Sequence, residues 1–245
     1  LAEAYGAVDD PRLGPSLEKA ISLILNAQTK NPFGAWRYSP ESSDADTTVS
    51  GAQMVALYAA RNAGIAVPEA ALKRGLNFFA SCQTSDGGYG YTPGSSPNSA
   101  RTAIGCLVLA LAKEKNSRAF QSAANYLKTA PAESSYHHYY LYYAAQAFFH
   151  TSPEAWNTWN RKNIKNLAST QNPDGSWDGQ FGTTFSTAVR STLASPSMQE
   201  RTSRLRPVRP SSCRSCTSPR PSGRGGSRTS ASRAASRADA SRGSR

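Results

Sequence analysis

The chain has 245 residues, with 28 Lys and Arg against 16 Asp and Glu, and a formal net charge of +12 at pH 7. The charge is uneven, because residues 190–245 hold 13 Arg and two acids but none of the 23 aromatic residues. The first 189 residues are therefore nearly neutral, which excludes a nucleic-acid argument based on their charge.

Two further classes are excluded by the composition. No apolar run approaches the roughly 20 residues that a membrane-spanning helix needs, so we expect no transmembrane segment in this chain. Four Cys in a chain of this length do not form a disulfide framework. Because the first residue is Leu rather than Met, we expect a processed or incomplete chain, and the sequence does not indicate its compartment.

After a lead-in over residues 1–14, helical periodicity predicts four helix pairs with a spacing of about 40 to 55 residues, which is typical of a repeat array. The first helices of the pairs are predicted over residues 16–28, 68–83, 117–128 and 153–171, and the second helices over residues 47–63, 99–113, 136–150 and from residue 183 onwards. Strand signals are nearly absent. We therefore predict an all-α fold, with repeats over residues 15–189 and a disordered basic tail over residues 190–245.

Three of the first helices end in related loops, in which a Gln is followed after a short spacer by a Gly and an aromatic residue. The motif residues are Gln28, Gly34 and Trp36; Gln83, Gly87 and Tyr89; and Gln171, Gly175 and Trp177. The Gly permits a tight turn, the aromatic ring packs back onto the helix end, and the Gln amide can bond carbonyls left unpaired there. The third pair has no such loop between residues 128 and 135.

This motif resembles the QW repeat of squalene and hopene cyclases, whose fold is shared by the β subunits of protein prenyltransferases. The resemblance covers residues 15–189 and implies an α/α toroid, in which inner helices surround an apolar cavity or groove. Four pairs are fewer than usually close such a ring, so we expect an incomplete α/α toroid that binds an apolar isoprenoid ligand without complete catalytic machinery. The alternatives are an active polyprene or triterpene cyclase, which is an isomerase, and a repeat scaffold with a protein partner.

The resemblance also points to a candidate acid. Cyclases of this kind use an Asp in a DxDD segment to protonate an alkene or epoxide. In the nearest match here, Asp46 takes the position of the proton donor and Asp44 is its neighbouring carboxylate, but Thr47 replaces the last acid. Asp46 also stands directly before a predicted helix, where it would cap the helix amides, and capping is the simpler interpretation.

The densest aromatic stretch covers residues 136–143 at the start of a second helix. Four of its tyrosines are candidates to line the cavity: Tyr136, Tyr139, Tyr140 and Tyr143. Their ring faces would suit cation–π stabilisation. Adjacent residues diverge by about 100° around a helix, so part of this set must pack elsewhere, and ordinary packing is the simpler interpretation.

A prenyltransferase interpretation would need zinc. The candidate ligands are Cys82, Cys106, His137 and His138, but no ligand spacing supports them. We therefore expect no metal and no other cofactor, and we expect Cys82 and Cys106 to be buried thiols.

After Val189 the composition changes to Ser, Arg, Pro, Ala, Gly and Thr, as in a GC-rich gene read out of frame. We hypothesise a frameshift near codon 190. The rival hypothesis is a genuine Arg/Ser tail that binds RNA or anionic surfaces, and nucleic acid is a partner only in that case. Cys213 and Cys216 form a lone CxxC that we attribute to chance.

Overall fold

The computed structural model describes residues 1–131 and 136–194, and within these ranges the chain is mostly helical. The helices are α1 (Ala2–Tyr5), α2 (Leu13–Lys30), α3 (Thr47–Asn62), α4 (Glu69–Cys82), α5 (Ser99–Leu111), α6 (Arg118–Thr129), α7 (His137–Thr151), α8 (Pro153–Thr170) and α9 (Thr183–Ala194). The all-α prediction is confirmed for these residues. They contain the four expected helix pairs, α2 with α3, α4 with α5, α6 with α7, and α8 with α9.

The second helices of the pairs form a row, in which α3 packs on α5, α5 on α7, and α7 on α9. The first helices are staggered against this row, since α4 contacts α3 and α5, α6 contacts α5 and α7, and α8 contacts α7 and α9. The described helices therefore form two packed layers, and each hairpin is held by its neighbours along the row.

The core centres on α5, the middle helix of the row. All its residues from Ser99 to Ala110 are buried except Arg101. At Gly51 on α3, an added Cβ would lie 2.1 Å from the Cγ2 methyl of Ile104 on α5. The two second helices thus approach so closely that a side chain at this position would displace one of them.

Side-chain caps explain where several helices begin. Asp46 caps α3, Asn98 caps α5, Ser117 caps α6 and Ser152 caps α8, each accepting a hydrogen bond from a backbone N–H in the first turn. These residue types satisfy amides that have no partner inside the helix. Of these caps, Asp46 was predicted from its position directly before a predicted helix.

The structure differs from the sequence predictions at two places. Two-residue strands, β1 (Tyr89–Gly90) and β2 (Pro97–Asn98), pair antiparallel in the loop between α4 and α5, with Tyr89 opposite Asn98. Helix α9 continues beyond the predicted boundary at residue 190 and buries Leu193. Backbone hydrogen bonds and one apolar contact thus extend the helix, although the composition has already changed.

Residues 195–245 lie outside the described residues, and so do Cys213, Cys216 and all of the predicted disordered tail after residue 194. None of the helices in the described ranges is both long enough and apolar enough to cross a lipid bilayer.

Candidate functional site

The first motif loop joins two neighbouring hairpins through the amide of Gln28. The Gln28 side-chain N–H group donates to the carbonyl of Gly34 in its own loop at 2.8 Å and to the carbonyl of Ala71 in α4 at 2.9 Å. Its Oε1 accepts from the Arg74 guanidinium at 3.1 Å. Gln28 is buried, so these bonds satisfy a polar group that burial would otherwise penalise.

The second motif loop repeats this bridge, whereas the third is only half complete. Gln83 Nε2 donates to the carbonyl of Gly87 at 3.2 Å and to the carbonyl of Ala119 in α6 at 2.9 Å. Gln171 Nε2 donates to the carbonyl of Gly175 at 2.8 Å, and residues 1–131 and 136–194 offer it no second acceptor. The motif Gln therefore joins its own loop to the next hairpin wherever the described residues include one.

The motif aromatic ties the loop to both helices of its own hairpin. The Trp36 indole N–H donates to the carbonyl of Ile24 in the last turns of α2 at 2.8 Å. The backbone N–H of Trp36 donates to the Ser50 hydroxyl on α3 at 3.0 Å. The Gln was expected to bond unpaired carbonyls at the end of its helix, but it bonds carbonyls of its own loop and of the next hairpin instead.

The other two motif aromatics occupy the same position. The Trp177 indole donates to the carbonyl of Leu167 at 2.9 Å, and its backbone N–H donates to the Thr187 hydroxyl at 3.0 Å. The backbone N–H of Tyr89 donates to the Thr102 hydroxyl at 2.9 Å. The motif residues therefore hold the loops and helices of the array together.

Asp46, the candidate proton donor, is fully buried as the cap of α3. Its Oδ1 accepts the backbone N–H groups of Thr48 at 2.7 Å and Val49 at 2.9 Å, together with the Thr48 hydroxyl. Its Oδ2 lies 3.4 Å from the Arg37 guanidinium. Asp44, whose side chain is 64% exposed, pairs with the same guanidinium at 3.4 Å. Since these partners of Asp46 all donate to the carboxylate, its surroundings suit a helix cap better than a general acid.

Arg37 also belongs to an aromatic cluster that sequence analysis missed. Its guanidinium lies 5.5 Å from the ring centroid of Tyr38 and 5.0 Å from that of Tyr91, a residue in the loop before α5. The guanidinium of Arg101 in α5 lies 5.5 Å from the same Tyr91 centroid. The Tyr38 and Tyr91 hydroxyls are 3.4 Å apart. Burial, followed by this hydrogen bond, raises the pKa of Tyr91. The guanidinium groups of Arg37 and Arg101 thus stack on tyrosine rings close to Asp46. These residues are far apart in the sequence, and no sequence pattern predicts their contact.

An apolar groove of about 220 Å³ lies between α7 and α9. It is lined by His138, Tyr139, Tyr142, Tyr143, Phe185 and Val189. The rings are in mutual contact, since the Tyr142 and Tyr143 centroids are 5.0 Å apart and those of His138 and Phe185 are 6.0 Å apart. Such a wall of ring faces and edges offers dispersion contacts to an apolar ligand.

Two of the four predicted cavity tyrosines line this groove, Tyr139 and Tyr143. Tyr140 is buried on another face of α7, where its hydroxyl accepts from the Trp159 indole of α8 at 3.3 Å. Tyr136 precedes α7 and is exposed. Tyr136 and Tyr140 therefore do not line this groove: Tyr140 lies about 100° around α7 from Tyr139, and Tyr136 stands before the helix begins.

Burial disfavours the charged forms of two residues that line the groove. Burial lowers the pKa of His138, and Arg190 and His137 lower it further. Burial, followed by the neighbouring hydroxyls of Tyr142 and Tyr139, raises the pKa of Tyr143. The His138 Nε2 atom is buried and has no hydrogen-bond partner among the described residues. The lining therefore combines neutral rings with one buried nitrogen.

Arg190 is buried on α9 close to this wall. Its guanidinium donates to the Thr170 hydroxyl at 2.9 Å, while its Nε atom has no partner in the described part of the chain. Burial lowers its pKa. Burying a guanidinium without its full set of hydrogen bonds destabilises the fold. Arg190 is also the residue at which the sequence composition changes.

Metal binding finds no support in the described ranges, where no group of three His, Cys, Asp or Glu side chains could hold an ion. Cys82 and Cys106 are buried and unpaired with each other. Burial raises the pKa of Cys82 to about 11 and that of Cys106 to about 12. Both thiols are therefore buried, protonated side chains at neutral pH.

No protein-family model matches this chain, and no curated protein matches it significantly in sequence. The function must therefore be inferred from the arrangement of the described residues. Among them, the groove between α7 and α9 supplies the apolar surface, and the motif loops supply the frame that holds it.

Proposed function

We propose that this chain is a repeat domain that binds part of an apolar isoprenoid chain in the groove between α7 and α9, without transforming it. The observation that carries this proposal is the groove itself, whose wall consists of uncharged aromatic rings and one Val side chain. The proposed relationship is to the α/α repeat domains of squalene cyclases and protein prenyltransferase β subunits, which the three motif loops resemble.

The size and chemistry of the groove define what it would hold. Its volume of about 220 Å³ is below the roughly 300–1,000 Å³ typical of pockets for drug-sized ligands. The groove would therefore hold a short stretch of a polyprene, and the remainder would extend over neighbouring surface. Tyr139, Tyr142 and Phe185 are partly exposed at the groove, so a ligand would cover apolar area that now faces water.

The position of the candidate acid supports the proposal that the chain does not transform its ligand. A proton-initiated cyclase needs a carboxylic acid facing the bound alkene. None of the six side chains that line the groove is acidic, and Asp46 caps α3, which α5 separates from α7 in the row of second helices. The groove thus supports binding rather than catalysis.

Titration of the full chain with farnesol, followed by calorimetry, tests the binding. We expect Phe185→Ala and Tyr139→Ala each to weaken binding about tenfold, because each removes an aromatic contact worth about 1.4 kcal/mol. Phe33→Ala is the matched control, since Phe33 is similarly exposed but lies in the loop after α2. Unchanged affinity in both groove variants would contradict the proposed site.

Incubation with squalene tests the second part of the proposal. We expect the full chain to return squalene unchanged, as judged by gas chromatography with mass spectrometry. A cyclic product that disappears in Asp46→Asn would show that Asp46 acts as an acid, and the chain would then be a polyprene cyclase.

A further inference from the structure

His138 brings a buried polar atom to the wall of the groove between α7 and α9. Its side chain lines the groove, although the residue is only 5% exposed. The Nε2 atom is buried, and the described part of the chain offers it no hydrogen-bond partner. Leaving a buried polar atom unbonded costs free energy, which a hydrogen bond to a ligand would recover. This nitrogen is therefore a candidate to recognise a polar group on the ligand.

Gly179 and Ser186 border the same nitrogen. A Cβ added to Gly179 would lie 2.5 Å from His138 Nε2 and 2.2 Å from the Ser186 hydroxyl oxygen. The two polar atoms are therefore close neighbours, and only a residue without a side chain fits beside them. The Ser186 hydroxyl is buried and donates to the carbonyl of Gly182 at 2.9 Å, so its oxygen can still accept a hydrogen bond. Two polar groups with spare bonding capacity thus adjoin at this wall of the groove.

The tyrosine hydroxyls of the groove differ from this nitrogen in their access to other partners. Tyr139 and Tyr142 are partly exposed, so water can satisfy their hydroxyls. Within residues 1–131 and 136–194, the buried side-chain atoms that lack a partner include His138 Nε2 but none of the hydroxyls of Tyr139, Tyr142 and Tyr143. A polar ligand atom would therefore gain more from a hydrogen bond to His138 than from one to a tyrosine.

The protonation state of His138 limits the chemistry of such a ligand atom. Burial, followed by the charges of Arg190 and His137, lowers the pKa of His138, which favours the neutral imidazole at pH 7. The Nε2 atom of a neutral imidazole donates or accepts a hydrogen bond, depending on the tautomer. A ligand hydroxyl can do either and so pairs with both tautomers, whereas a carboxylate only accepts. An ammonium head group would be repelled by the positive charge of Arg190.

We propose that the groove selects an isoprenoid alcohol, whose hydroxyl bonds His138 Nε2 while its hydrocarbon chain lies against the rings of Tyr139, Tyr142 and Phe185. This inference rests on the proposed function, and it adds which end of the ligand enters the groove and how that end is recognised. The hydrocarbon supplies affinity through the apolar area that it covers. The hydroxyl supplies selectivity, because a hydrocarbon of the same skeleton leaves the buried nitrogen unbonded.

Calorimetric titration of the full chain with farnesol, farnesene and farnesoic acid at pH 7 tests this selectivity. These ligands share a carbon skeleton and differ at one end. We expect farnesol to bind about tenfold more tightly than farnesene, and farnesoic acid to bind no more tightly than farnesol. In His138→Leu, farnesol should bind only as tightly as farnesene. In the unmodified chain, farnesol but not farnesene should shift the imidazole nitrogen resonances of His138, a test that needs no substitution.

Tyr140→Phe is the matched control on the same helix, since the Tyr140 hydroxyl bonds the Trp159 indole away from the groove, and it should keep the preference for farnesol. Equal binding of farnesol and farnesene would overturn the role of His138 but leave the proposed groove in place, whereas binding of neither would overturn both. Tighter binding of farnesoic acid would show that the groove selects an anion. A preference that survives in His138→Leu but is lost in Tyr143→Phe would assign the hydroxyl to the tyrosine, and the proposal would be wrong.

Discussion

At the scale of single residues, Asp46 shows how a sequence motif acquires a structural role in this fold. Its carboxylate satisfies two amides at the start of α3 and faces Arg37, all in a position without solvent exposure. Asp44, two residues earlier, reaches the same guanidinium from the surface. Asp46 is therefore buried and caps a helix, whereas Asp44 is exposed and does not. Measuring the stability of variants at the two positions tests this difference.

Replacement of Asp46 by Ala should lower the free energy of unfolding by about 1–3 kcal/mol, because it removes the cap and leaves a buried donor pair unsatisfied. Asp46→Asn should cost less, since the Asn side chain retains an acceptor oxygen. Asp44→Ala, the control at an exposed pair, should cost less than about 0.5 kcal/mol. Urea denaturation measures all three, and equal effects at the two positions would contradict the capping role.

His150 at the end of α7 predicts a pH dependence of stability. Burial, followed by the nearby Lys115 charge, lowers the pKa of His150 from 6.5 to about 4. The unfolded state therefore binds the proton more tightly, and the contribution of His150 is complete above about pH 6.5 and lost progressively as the pH falls to about 4.

The loss should amount to about 1–3 kcal/mol between pH 6.5 and pH 4, at about 1.4 kcal/mol for each unit of pKa difference. We expect His150→Asn to reduce the slope of unfolding free energy against pH in this window, as measured by urea denaturation. His138, whose pKa is also lowered by burial, contributes a slope of the same sign, so His138→Asn should reduce the slope as well. A slope unchanged in His150→Asn would show that the histidine is solvated.

At the scale of helices and loops, the motif Gln is the bond that joins hairpins. Gln28→Ala should lower the free energy of unfolding by about 1–3 kcal/mol, since it leaves the buried Gly34 loop and the first turn of α4 unconnected. Gln171→Ala, which removes one exposed bond to Gly175, should cost less than about 1 kcal/mol. If denaturant titrations show comparable losses of unfolding free energy for the two variants, the bond to the neighbouring hairpin adds nothing to stability.

The same loops show how much of the fold and site the sequence could predict. The helices were predictable because their caps and apolar periods are local, and Gln28, Gly34 and Trp36 lie within one loop. Ala71, the second acceptor of Gln28, lies 43 residues away and carries no signal of its own. The groove was only half predictable, since α7 is apolar or aromatic around most of its circumference and its periodicity does not distinguish the face of Tyr140 from that of Tyr143.

At the scale of the whole molecule, charge and fold occupy different parts of the chain. The 13 Arg and two acids of residues 190–245 follow a nearly neutral helical array. A segment of this charge should bind a polyanion without sequence preference, and its affinity should fall steeply as salt replaces the released counterions.

We expect the full chain to bind polyuridylate at low salt, with an affinity that falls between about 50 and 200 mM salt by at least tenfold. A chain ending at residue 194 should bind weakly at every salt concentration. Fluorescence anisotropy with labelled RNA measures both, and similar binding by the two chains would show that the helical array carries the affinity. Sequencing the coding DNA across codons 180 to 200 would decide whether this tail is read in the natural frame.

The bonds of Gln28 and Gln83 each join one hairpin to the next, and α7 packs on α8 and α9, so the described array behaves as a line of nearest-neighbour couplings. Local unfolding of such an array begins at the hairpin with the fewest contacts to its neighbours and then spreads to the next hairpin. Backbone amides of α8 and α9 should therefore exchange with deuterium before those of α5, whose helix is enclosed on both sides. A ligand held between α7 and α9 would slow this first step, so that occupancy of the groove would govern how long the whole array stays closed.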